Sequence, residues 1–143
     1  MGRLFAPRYY VDFECIKGDC RHSCCIGWEI DVDAVAMSRY SSLSGEIGNV
    51  IRKSISDTDP PHFVLREDGS CPHLSGCGLC NIISEIGDEY LCDICRLHPR
   101  FFNDTASGRE VGLGMSCEEA CRIILSSDGY IDMIEIGDRK SVV

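Results

Sequence analysis

The sequence contains no run of about eighteen apolar residues, the length at which a membrane-spanning helix becomes possible, so none is expected. Its opening stretch, Met1-Gly-Arg-Leu-Phe-Ala-Pro-Arg-Tyr-Tyr10, has neither a continuous apolar core nor a small-residue cleavage site, which argues against an export signal. Basic charge is scarce: 14 Lys and Arg stand against 23 Asp and Glu, a net charge of −9. A protein that tracks phosphates needs a positive face, so nucleic-acid binding is not expected. Internal repeats and low-complexity segments are absent, as are complete dinucleotide or phosphate-loop signatures. The fragments Gly76-Cys-Gly78 and Gly112-Leu-Gly114 fall well short of either.

Cysteine is what the chain has in excess. There are 11 in 143 residues, an odd count. In a secreted chain such density would indicate a disulfide framework. Without an export signal the expected location is the cytoplasm, where thiols stay reduced and short Cys spacings point to metal or iron–sulfur ligation. Thiolates are soft donors, and four suffice for a structural zinc or a four-iron cluster.

The length allows one ordinary domain with its own core. Arg8 to Glu14 alternates like a strand and leads into Cys15. Gly18-Asp19 reads as a turn, Cys20 to Cys25 as the start of a tight helical turn, and Trp28 to Val32 as a short strand. Asp33 is placed to cap a helix over Ala34 to Leu43, and a second helix is expected over Glu46 to Ile55. After the Pro60-Pro61 break, His62 to Arg66 reads as a strand ended by Asp68-Gly69. Ser70 to Cys80 has the Gly-rich irregularity of a metal knuckle, followed by helical stretches over 81–87 and 89–98. A hairpin is expected from Arg100 to Asp104 and Arg109 to Met115. Ser116-Cys-Glu-Glu119 reads as a capping box opening a helix that puts Cys117 and Cys121 on one face. The expected class is α+β: short strands and several helices around a multi-cysteine centre. The last six residues, 138–143, match in one frame the translation of a widely used sequencing adapter, so the native part is expected to end near Gly137.

Cys77-x-x-Cys80 and Cys92-x-x-Cys95 look like paired zinc knuckles. The first block, Cys15 to Trp28, fits zinc less well, because adjacent Cys24 and Cys25 project in different directions. They could serve different irons of a cluster, or one could be a buried apolar thiol. His22 and His73 are either ligands, hydrogen-bonding supports or plain loop histidines, and Arg100 is either a neutraliser of thiolate charge or a surface arginine. Trp28 reads as a core anchor. A nucleophilic cysteine has no distinguishing context here.

Five separated motifs resemble those of the flagellin lysine N-methylase family, which overlaps the Cys-rich zinc- or iron-chelating domains. They are Cys15-x4-Cys20-x3-Cys24-Cys25-x-Gly27-Trp28, Asp68-Gly-x-Cys71-Pro-x-Leu74, Gly78-Leu-Cys80-x-Ile82, Cys95-x3-Pro99-Arg100 and Ser116-Cys117-x-Glu119-Ala120. The resemblance spans about Tyr9 to Leu125. It implies an enzyme that moves methyl groups from S-adenosylmethionine to flagellin lysines, and a centre, 4Fe-4S in preference to zinc, held among Cys20, Cys24, Cys25, Cys71, Cys80, Cys95 and Cys117 with Cys15 in support. It also implies that residues 1–137 form the N-terminal part of a longer enzyme whose methyl-donor pocket lies largely beyond them. His98 departs from the family's aromatic residue, and Cys77, Cys92 and Cys121 are extras. A non-enzymatic zinc- or iron-chelating or redox module is the alternative.

Overall fold

The computed structural model describes residues 2–137, so the expectation about 138–143 lies outside the described residues. The fold is α+β. Its strands are β1 (Leu4–Pro7), β2 (Arg100–Thr105), β3 (Gly108–Leu113) and β4 (Met133–Gly137), and its helices are α1 (Ala34–Ser42), α2 (Gly45–Lys53), α3 (Asn81–Ile86), α4 (Asp93–Leu97) and α5 (Glu118–Ser126). Contacts divide the chain into two units: residues 1–16, 20–22 and 97–143 form the first, and residues 17–19 and 23–96 the second.

The first unit is a four-stranded mixed sheet in the order β2-β3-β1-β4 with α5 as its helix. β2 and β3 form the expected hairpin, in register from Arg100 opposite Leu113 to Thr105 opposite Gly108. β1 runs parallel to β3, with Leu4 opposite Arg109, and antiparallel to β4. The N-terminal strand therefore lies earlier than its alternation suggests. Pro7 ends it, and Arg8–Asp12 tightens into a 3-10 turn instead of remaining extended. Leu4, Ala6, Tyr10, Val111, Leu113 and Ala120 are the buried core of this unit, and Cys117 packs against them.

The capping box does not form. α5 starts with Cys117 as its N-cap and no side-chain cap bond, while Glu119 turns toward Arg122, whose Nε donates to it at 2.9 Å. An i,i+3 ion pair holds the Glu119 carboxylate on the helix face, away from the N-cap amide.

The second unit is helical and irregular. Asp33 caps α1 as expected, its Oδ1 accepting the Ala36 N–H at 2.9 Å. Arg52 of α2 donates through Nη1 to the carbonyls of Tyr40 and Leu43, both at 2.7 Å, adding to the long bond that the Tyr40 carbonyl accepts from the Leu43 N–H at the end of α1. The segments read as strands over 28–32 and 62–66 pair only through isolated bridges, Asp31 to His62 and Ile55 to Phe63. The helical stretch expected over 89–98 divides into a 3-10 turn, Asp88–Tyr90, and α4. The core is Ile30, Val32, Ala36, Tyr40, Ile51, Phe63, Cys71, Ile82 and Cys92. Cys25, Trp28, Cys80 and Cys95 pack against it, so five thiols of the second unit share one apolar cluster.

Candidate thiol centre

Three local devices bring the second unit's thiols together. The Cys71 N–H donates to the Cys25 carbonyl at 2.7 Å, and the Gly27 N–H to the Gly69 carbonyl at 3.0 Å, which sets Cys25 beside Cys71. Gly27 and Gly69 both have φ above +80°, a conformation that glycine adopts without steric cost. Leu74 bridges to Cys80, and the Asn81 N–H donates to the His73 carbonyl at 2.8 Å, folding the knuckle so that Cys80 returns toward Cys71. α4 supplies Cys95. Its start is fastened to α1 because Asp33 Oδ2 accepts the Asp93 N–H at 2.8 Å. Burial pushes the Asp33 carboxyl up, but the N–H groups of Asp93 and Ala36 outweigh it and hold the group below its usual value.

The thiols act on one another electrostatically. Burial pushes Cys71 up to about 11, with Cys25 and Cys80 adding to the rise. Cys95 is raised furthest, by burial and then by Cys92, Cys25, Cys71 and Cys80. Burial also raises Cys80, and Cys25 adds to it. Cys25 goes the other way, lowered to about 6 by a hydrogen bond from the Cys24 thiol, with burial opposing and Ser23 assisting. Cys25 is thus the member of the group whose charged form is favoured, beside thiols whose charged forms burial disfavours.

Cys92 was set aside in the sequence reading as an extra. It is 1% exposed, within the same cluster, and its Sγ lies 3.5 Å from the Tyr40 hydroxyl, which also donates to the Tyr90 carbonyl at 2.5 Å. The Cys92-x-x-Cys95 spacing was the signal that could have found it. His73 lies in a turn but is not a solvent-exposed histidine. It is 1% exposed, edge-on to Phe63 at 4.7 Å between ring centroids, with Nε2 2.9 Å from the Ser54 hydroxyl. Trp28 packs against the core as expected and donates its indole N–H to the Cys24 carbonyl. Arg100 belongs to the first unit, where its Nε donates to the Tyr10 hydroxyl at 2.8 Å and its guanidinium lies 5.3 Å from the Phe13 ring centroid.

Of the seven candidate ligands, Cys25, Cys71, Cys80 and Cys95 are neighbours in the second unit. Cys24, also there, is exposed and serves Cys25. Cys20 and Cys117 belong to the first unit and are neighbours there. Soft, partly or fully buried donors from four chain segments suit a thiophilic cation or an iron–sulfur cluster. Among the described residues, no group of three His, Cys, Asp or Glu side chains is set at metal-binding geometry.

The chain is 25% identical to the lysine-N-methylases of Salmonella choleraesuis and Salmonella typhimurium, over 90% of its own length and 34% of theirs. The chain is thus similar in sequence to part of the lysine N-methylases. It spans about a third of their length. It is also 24% identical to the flagellar biosynthetic protein FliU of Salmonella muenchen, over 94% of this chain and 82% of FliU. No family model and no solved structure matches it. The alignment with the lysine N-methylases takes in most of the chain, so both units of this relative fall largely within it. Among the described residues no helix is long and apolar enough to cross a membrane.

Proposed function

We propose that this chain is the thiol-rich portion of a cytoplasmic lysine N-methylase that acts on flagellin, with a 4Fe-4S cluster or zinc held by Cys25, Cys71, Cys80 and Cys95. The observation that carries the reading is kinship to lysine-N-methylases across 90% of the chain. The name of the relative FliU supports a flagellar substrate. The net charge of −9 suits a lysine-bearing partner by electrostatic attraction. S-adenosylmethionine supplies an electrophilic methyl group. With that donor bound in the full-length protein, a neutral lysine amine would take the methyl carbon as the carbon–sulfur bond breaks, the electron pair leaving with sulfur and the amine proton passing to solvent. The protein's part is to desolvate the amine, lower its pKa and hold it in line with the sulfonium. The thiol cluster contributes folding free energy when loaded, fixing the irregular 70–95 region around it.

The test is anaerobic purification of the protein from its native reading frame, followed by incubation with S-adenosylmethionine and unmethylated flagellin. Lysine mass increments of one methyl group are expected, and their absence from metal-replete protein overturns the activity. Iron with acid-labile sulfide indicates the cluster; stoichiometric zinc without colour indicates zinc. A second reading, a non-enzymatic chelating or redox module, draws on the same gathered thiols. It predicts full metal loading with no methyl transfer.

A further inference from the structure

The first unit holds a cleft of about 220 Å³ that involves none of the thiols. One wall is the 3-10 turn Arg8–Asp12, and the other is the segment 127–132 between α5 and β4. Hydrogen bonds fix both walls. The Arg8 N–H donates to the Asp132 carbonyl at 2.9 Å, and the Ser127 hydroxyl donates to the Ile123 carbonyl at 2.9 Å, which holds the start of the segment on α5. Gly129, at a φ of +81°, turns the chain between them. Two kinds of surface line the cleft. Tyr9, Tyr130 and Ile131 give it aromatic and aliphatic sides, while Asp12, Asp128 and Asp132 give it carboxylates. Arg8 Nη2 stands 3.6 Å from the Asp132 carboxylate and offsets it. Among the described residues no cation is paired with Asp12 or Asp128, so the cleft keeps an excess of negative charge. Tyr130 is 98% exposed and Ile131 60%, which leaves the apolar sides at the mouth open to a partner's chain.

We propose that this cleft docks a lysine side chain of a protein partner, its ammonium toward Asp12 and Asp128 and its aliphatic stem along Tyr130 and Ile131. The inference rests on the lysine N-methylase reading and deepens it by naming where the substrate segment is held. Charge decides the sign of the occupant, and the sides decide its shape. A bare small cation would answer the carboxylates and leave the aromatic and aliphatic sides uncovered. An apolar side chain would cover the sides and bring nothing to the carboxylates. Lysine does both, because its methylene stem packs on apolar surface while its charged head stays at the wet rim. A tyrosine ring face adds attraction for the ammonium. Since the cleft is open to water, each charge contact is modest, and several must act together to orient the segment. The role is docking: these residues hold the partner, and none of them takes part in the bond changes at the methyl group.

The test uses the intact chain and a fluorescently labelled flagellin peptide with a single lysine, read by anisotropy at low and high salt. Replacing that lysine by norleucine, which keeps the stem and removes the charge, should weaken binding about fivefold. Asp12→Asn combined with Asp128→Asn should weaken the lysine peptide by a similar factor, leave the norleucine peptide unaffected and flatten the salt dependence. Tyr130→Ala should weaken both peptides, because it removes surface for the stem, and at 98% exposure the residue contributes little to the fold. The cleft is overturned if the lysine peptide does not bind, if the two peptides bind equally, or if the Asp12, Asp128 variant binds as the unaltered chain does. Should that variant fail to fold, Tyr130→Ala decides, and unchanged binding overturns the cleft. Methyl transfer is measured separately on the protein from its native reading frame. Lysine-dependent docking without methyl transfer keeps the cleft and defeats the methylase reading. Methyl transfer with an unchanged KM for flagellin in the Asp12, Asp128 variant keeps the reading and defeats the cleft.

Discussion

Cys25 differs from its neighbours because its charge is stabilised locally, by the Cys24 thiol and Ser23, before any metal is considered. In metal-free protein its alkylation rate should rise through a midpoint near pH 6, since the thiolate is the reacting form and its value is lowered to about 6. Cys24→Ala removes the leading stabiliser and should move that midpoint upward; rate profiles by mass spectrometry would show an unmoved midpoint if Cys24 had no such role. Tyr40 poses a different single-atom question. Its ring is fully buried, and its hydroxyl serves both the Tyr90 carbonyl at 2.5 Å and Cys92 Sγ at 3.5 Å. Burial first, then the hydrogen bond to Cys92, pushes that hydroxyl well above the ordinary tyrosine range, so it stays a donor. Tyr40→Phe keeps the packing but removes the donor to the Tyr90 carbonyl, and should cost about 1–3 kcal/mol in urea denaturation.

At the scale of elements, the α1–α2 pair depends on Arg52, whose guanidinium completes two carbonyls near the end of α1 and also donates to Asn49 Oδ1 at 2.7 Å. Arg52→Met retains the aliphatic stem and loses the donors. We expect about 1.5–3 kcal/mol of destabilisation, because these bonds involve a charged group, and only partial rescue by Arg52→Lys, which cannot reproduce the fork. These two helices were legible in the sequence, through the Asp33 cap and the spacing of Ile47, Val50 and Ile51. So was the hairpin, where Gly108 takes a positive φ and lies so close to Arg3 that an added Cβ would sit 2.5 Å from its carbonyl oxygen. The parallel pairing of β1 with β3 was not legible, because it joins residues more than a hundred positions apart and leaves no local period. Trp28 to Val32 has a strand's alternation, yet isolated bridges and helix packing take up its apolar side chains, as tertiary contacts override β propensity.

For the molecule as a whole, the positions of the cysteines were plain in the sequence, but their partition was not. It depends on backbone contacts such as Gly27 to Gly69 and on the Glu118 carboxylate, which accepts the N–H groups of Arg21 and His22 just after Cys20; a spacing pattern encodes neither. Each unit has its own apolar core, and the second unit's core includes thiols. Trp28, the only tryptophan, packs on that core and bonds to Cys24, so its emission reports the second unit specifically. If the proposed centre is loaded, stripping it with a chelator should shift Trp28 emission to the red and raise hydrogen exchange across residues 70–95. The sheet amides of β2 and β3 should lose less protection, because the hairpin's ladder and the core of Leu4, Val111 and Leu113 do not depend on the second unit's thiols. Unchanged emission on complete metal removal would mean that the apolar contacts around Tyr40 and Phe63 hold this unit alone, and that its thiols contribute to chemistry without contributing to the fold.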